Sequence, residues 1–220
     1  MKKLGVVLLV LLQCSVYAGE GTLSVGMQYG LMLEKVSTGA TTNSMTLHSY
    51  GGNLRATNFS ENSNMGIFVN DSFLFPQGGK INGTNFTLEN VDFAFLLGMT
   101  LGPVYRKSLD QTKTAYIGIG PSFQQFTLID EQSGSSMNIL FGIGSDFGCT
   151  FALSETNFIH LGMQIDYSFA IYSLVNNRSG VWHDEDYSNV TVRPYIGIGM
   201  VVKKRDHMPM NNATILNRFR

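Results

Sequence analysis

His183 stands beside Asp184, with Ser179 and Ser188 a few positions away, and these residue types are the parts of a hydrolytic triad. A triad needs the base held between nucleophile and orienter, and immediate sequence neighbours cannot easily adopt that line. No Gly-x-Ser-x-Gly elbow occurs in the chain. No catalytic residue is therefore assigned, and no enzyme activity is expected. Asp146 and Asp166 form a second candidate constellation. Two carboxylates can hold a cation, or can pair with Arg193; a calcium-type site needs further oxygen ligands. The expectation is no metal and no cofactor.

Glu34, His48, Asp92, Asp146, His160, Asp166 and Arg193 are polar residues set into otherwise apolar or small-residue segments. A third constellation, Trp182-His183-Asp184-Glu185-Asp186-Tyr187, combines the only Trp with three acids and a Tyr. Aromatic residues of this kind favour a membrane–water boundary. Exposed Trp and Tyr also make good binding anchors, so this run is a candidate contact patch.

The elements that must position these residues are strands. From Met137 to Leu153 the odd positions are mostly Met, Ile and Phe, while the even ones are mostly Asn, Gly, Asp and Thr. Such alternation is the period of a strand, not a helix. The segments 159–171, 189–203 and 22–34 repeat it, and 91–101 and 116–123 do so with less regularity. Pro121 suggests a bulge. Segment 65–75 puts Asp71 on the apolar face, which predicts a bulge or a shifted parity there. Segment 44–57 has the weakest pattern. Together these predict an all-β chain, an eight-stranded antiparallel up-and-down transmembrane β-barrel over residues 19–204. Four outward loops are expected at 35–43, 76–87, 129–136 and 175–188, with shorter connections at 58–64, 102–113 and 154–157.

Composition agrees with a lipid-facing surface. The 220 residues are 44% hydrophobic and only 14% charged, where soluble domains carry about 25% charged residues. The polar faces carry Gly, Ala, Ser, Asn, Gln and Asp, with Lys largely at strand ends. Small residues suit the crowded interior of an eight-stranded barrel, so the polar residues named above are expected to form a lumen network.

Lys2 and Lys3, the apolar run Gly5–Leu12 and the end Val16-Tyr17-Ala18 read as a cleaved signal peptide over residues 1–18. Cys14 offers lipid attachment as the alternative, although Gln13 stands where a small residue is usual. Without Lys2 and Lys3, 15 basic residues become 13 against 16 acidic, a formal charge of −3. Nothing there favours nucleic acid. Cys149 is then the single cysteine, so no intrachain disulfide can form. Residues 205–220 read as a tail.

Leu101-Gly102-Pro103-Val104-Tyr105-Arg106 followed by Tyr116-Ile117-Gly118-Ile119-Gly120 resembles a hairpin of OmpX-like barrels, and Tyr195–Gly199 repeats its second half. The stretch from Asn64 to Pro76 resembles the small barrels of treponemal spirochaetes. The ending Asn217-Arg218-Phe219-Arg220 departs from the terminal aromatic strand residue of most such barrels. The resemblance implies a bacterial outer-membrane protein in contact with lipid and the barrel-assembly machinery. It also implies a monomer whose loops meet a host or cell-surface ligand or support the envelope. Similarity to OmpW-like barrels implies the alternative of a narrow channel for small molecules, with hydrophobic ones among the candidates. A lipid-modifying enzyme is the minor alternative.

Overall fold

The computed structural model describes residues 20–38, 41–60, 63–88, 91–130, 134–175, 181–182 and 186–203. The expected signal peptide, Cys14 and the tail lie outside them. Eight long strands build the wall: β1 (Glu20–Thr38), β2 (Thr41–Phe59), β3 (Met65–Ile81), β5 (Phe93–Ser108), β6 (Lys113–Asp130), β7 (Gly134–Ala152), β8 (Asn157–Val175) and β10 (Asp186–Lys203). Two short strands accompany them, β4 (Thr84–Thr87) beside β3 and β9 (Val181–Trp182) beside β8. Each long strand pairs antiparallel with its sequence neighbours, and β10 pairs with both β8 and β1. That last pairing closes the ring and removes both sheet edges.

Alternation decides which way each side chain points. Val25, Met27, Ile67, Ile117, Ile143 and Ile198 form part of an exposed apolar belt, with Met27 at 76% and Ile67 at 62% exposure. An apolar surface this continuous suits hydrocarbon rather than water. Inside, the lumen has layers. Phe59, Phe68, Val104 and Tyr116 pack near the end that carries the turns at 109–112 and 153–156, the turn end. Polar side chains fill the middle. Met32, Leu47, Leu74, Leu96, Phe126, Leu140, Ile171 and Tyr187 form an apolar cluster toward the opposite, loop end, with Phe86 and Leu88 packed against it.

The strands are longer than the apolar pattern suggests, at 16 residues for β5, 17 for β3 and 19 for β2, β7 and β8. About 9–11 tilted residues suffice to cross hydrocarbon. The expected loops 35–43, 76–87 and 129–136 are therefore corrected to strand over most of their length, and 102–113 to strand through Ser108. At residues 41–44 and 80–85 both faces are exposed, so alternation fades, yet the backbone still needs its ladder partners. Within 175–188, β10 already begins at Asp186. Part of 76–87 is a tight hairpin at Asn82-Gly83, both at positive φ (49° and 83°). Asn-Gly is the pairing that such a two-residue turn favours.

Three expectations about irregularities also change. Pro121 sits opposite Ile143 in an unbroken β6–β7 ladder without a bulge. Asp71 pairs with Leu54 and Met99 in continuous register, so neither bulge nor shifted parity removes it from the outer face. The register shifts fall elsewhere, opposite His48/Ser49, where β3 carries the extra Gln77, and at Phe141/Gly142, where β8 carries the extra Phe169. The second shift reverses parity beyond it. Phe169 stays exposed, while Ile171, expected on the outer face, turns into the lumen.

Candidate functional site: the lumen network

The middle of the lumen holds two buried ion pairs. Arg193 on β10 binds Asp166 on neighbouring β8 through Nη2 and Oδ2, and both are fully buried. Arg55 on β2 binds Asp146 on β7, with Nε 2.5 Å from Oδ2. Four positions separate β2 from β7 around the eight-strand ring, so this pair spans opposite walls. Buried charges require such partners, because an isolated ion in a low-dielectric interior is strongly disfavoured.

Hydrogen bonds extend each pair. Asp166 Oδ1 accepts from Thr100 Oγ1 at 2.8 Å, and Gln164 Nε2 donates to the same hydroxyl at 2.5 Å. Asp146 Oδ1 accepts from Tyr195 OH at 2.5 Å and from Asn70 Nδ2 at 3.4 Å. His160 lies between Ser24, 3.1 Å away at Nδ1, and Tyr116, which meets Nε2. Tyr116 and Tyr195 join their hydroxyls at 2.7 Å. Gly98 makes room for Arg193: a Cβ there would overlap the guanidinium.

Asp146, His160, Asp166 and Arg193 thus meet inside the barrel. The carboxylates do not share Arg193, because Asp146 takes Arg55. Three other expected members lie apart. His48 is on the outer face, its Nδ1 2.5 Å from the OH of Tyr29, whose ring lies against exposed Tyr50, because odd positions of β2 point inward. Asp92 is exposed and precedes β5. Glu34 faces inward near the loop end and accepts a 3.0 Å bond from Tyr187.

That bond also divides the expected contact patch. Tyr187 is 6% exposed and belongs to the apolar lumen cluster, whereas Asp186 is exposed opposite Ser37. Trp182 pairs its backbone with Tyr172. His183, Asp184 and Glu185 lie outside the described residues. Sequence reasoning missed Arg55, Tyr116, Tyr195 and Gln164. Arg55 stood in the segment with the weakest alternation, and both tyrosines were read only as strand residues.

Chemically, the network holds charge in place. Ser24 and His160 are within nucleophile–base distance, yet both are buried, and neither lines the cavity at the turn end. No group of three or more potential metal ligands occurs among the described residues.

A closed ring of eight long antiparallel strands, apolar outside and packed inside, defines a small transmembrane β-barrel. Solved structures of outer-membrane barrels share this fold. The outer-membrane protein AlkL, in lipid bilayers, superposes with a TM-score of 0.56 at 12% identity, covering 87% of this chain and 93% of its own. OprG from Pseudomonas aeruginosa gives 0.52 at 15% identity, covering 84% and 97%. Neisserial surface protein A gives 0.51 at 13% identity, covering 81% and 96%. No family model and no curated protein sequence matches the chain.

Proposed function

We propose that the protein is a non-enzymatic outer-membrane barrel, exported by a cleaved signal, that presents its loop end at the cell surface for contact with a host or cell-surface partner or for envelope integrity. The carrying observation is the filled lumen: a buried ionic layer lies beneath an apolar cluster, so the wall serves as a scaffold. The loop end is also braced. Asn82 of the β3–β4 hairpin accepts from Ser44 N at 2.8 Å and donates to Asn43 Oδ1 at 2.9 Å. A braced surface loses less entropy when a partner binds.

The reading places 41–44 and 80–85 outside the cell and 109–112 and 153–156 in the periplasm. In a Cys149→Ser background, a membrane-impermeant maleimide on intact cells reacts with Asn43→Cys and spares Gln111→Cys; the reverse contradicts the orientation. Cells bearing the barrel bind host matrix or host cells better than cells lacking it, and Lys80→Glu with Asn85→Asp reduces the difference. Equal binding with and without the barrel contradicts the contact role. Lipid-acyl turnover by the purified barrel would contradict the non-enzymatic one.

The apolar cluster gives the channel reading its own support, since Leu47, Leu74, Leu96 and Leu140 suit a path for small hydrophobic molecules. Such a path opens only if Phe86 and Leu88 leave the cluster. Uptake of a hydrophobic tracer by barrel-containing vesicles distinguishes the two readings.

A further inference from the structure

Two outer-face grooves of similar size, about 450 and 460 Å³, indent the apolar belt. One is lined by apolar side chains and glycine alone, with Val25, Met27 and Ile198 among them. The other ends on a cation, for Lys107 lines it together with Tyr105, Ala115, Ile117, Phe147 and Cys149.

Strand register shapes the second groove. Lys107, Ala115 and Cys149 stand side by side on β5, β6 and β7, and Tyr105, Ile117 and Phe147 form the row toward the membrane middle. The row on the turn side holds Lys113 and Phe151. Two small side chains thus lie between bulky rows, which sinks the floor along the middle row. Lys107 closes one end of that row.

The two lysines differ in charge balance. Lys113 is engaged with Asp110 at 3.4 Å, whereas Lys107 is exposed and forms no ion pair among the described residues. Lys107 lies one row beyond exposed Tyr105, toward the polar turn Asp110-Gln111-Thr112. Tyr and Lys favour the boundary where hydrocarbon gives way to headgroups, with the lysine stem in the apolar layer and its ammonium beyond. The wall already sits in hydrocarbon, so filling the groove gains packing contacts rather than hydrophobic free energy. Preference for one occupant must therefore come from the charged end.

From this placement we infer that the β5–β7 groove holds one anionic phospholipid of the turn-side leaflet. An acyl chain lies over Ala115 and Cys149, and the phosphate meets Lys107. A zwitterionic lipid offers the same chain but brings its own ammonium, which Lys107 repels. The inference rests on the barrel spanning a bilayer; neither its orientation nor surface contact enters.

The test uses the full barrel in nanodiscs of phosphatidylglycerol and phosphatidylcholine with matched acyl chains. Native mass spectrometry counts the lipids retained, and amide NMR follows Lys107, Ala115 and Cys149. One phosphatidylglycerol per barrel is retained ahead of phosphatidylcholine, and the shifts saturate, while Met27 and Ile198 in the uncharged groove do not respond. Lys107→Gln lowers the preference about fivefold, the worth of one lysine near an anionic lipid surface. Ala115→Leu fills the floor from the lipid side and displaces the lipid, whereas Lys35→Gln at the loop end changes nothing. Circular dichroism and cooperative urea unfolding confirm that each variant is folded. Equal retention of the two lipids, shifts that do not saturate, or a folded Lys107→Gln with the parent's preference overturns the inference. So does oxidative Cys149–Cys149 cross-linking in these discs, which would seat a second copy in the groove.

Discussion

Arg55 Nε and Asp146 Oδ2 meet at 2.5 Å across the lumen, from strands on opposite sides of the ring. This contact ties the wall together where adjacent-strand hydrogen bonds cannot reach. Removing one partner leaves a buried, uncompensated charge. Asp146→Ala is expected to destabilise the barrel by about 3–5 kcal/mol, whereas the double variant Arg55→Met, Asp146→Leu returns near or above the parent. Urea unfolding in micelles, followed by tryptophan fluorescence, measures both.

Gly98 and Arg193 form a second dependence. A Cβ at 98 would overlap the guanidinium that holds Asp166. Gly98→Ala is expected to cost about 1–3 kcal/mol, the range of an overpacked core. Gly52, whose Cβ would meet only the Gly26 carbonyl oxygen at 3.3 Å, serves as the control, and its Ala variant unfolds within about 0.5 kcal/mol of the parent. Equal losses at the two sites would refute the packing argument.

Asp71 faces outward between Leu54 and Met99. Lipid-facing carboxylates are disfavoured, though less than Lys or Arg, so Asp71→Leu should stabilise the barrel by about 1–2 kcal/mol in bilayers. The gain shrinks in detergent micelles that admit more water. A loss of stability in bilayers would show that Asp71 has a partner which the isolated chain does not supply.

Asp110 sets the pH response of the turn between β5 and β6. The Thr112 backbone N–H, then its hydroxyl, and Lys113 hold this carboxyl below the usual carboxylate range. A depressed pKa in the folded state contributes stability above the unfolded value, lost as pH falls through the folded value. The Thr112 and Lys113 amide resonances should therefore move with a midpoint below that of an ordinary aspartate. In Asp110→Asn they should stay fixed throughout.

How much of this was legible in the sequence depends on depth in the membrane. β7 was readable because Ile139, Phe141 and Ile143 alternate with glycines around Asp146, and both faces had to match their surroundings. The far ends of β2 and β3 were not, because water on both sides of 41–44 and 80–81 leaves no pattern to read. Asn82-Gly83 did carry a hairpin signal inside the stretch read as loop. His48 was assigned to the wrong side because β2 mixes polar and apolar residues on both faces, and the same mixing concealed Arg55. Ile171 went astray because one extra residue at Phe169 reverses everything beyond it.

The central claim is that side chains fill this barrel from the ionic layer to the apolar cluster. Planar-bilayer recording of the purified, folded protein tests it most directly. The account predicts no stable unitary steps above the bare bilayer. Steady, reproducible ion-conducting steps from the folded protein would contradict it.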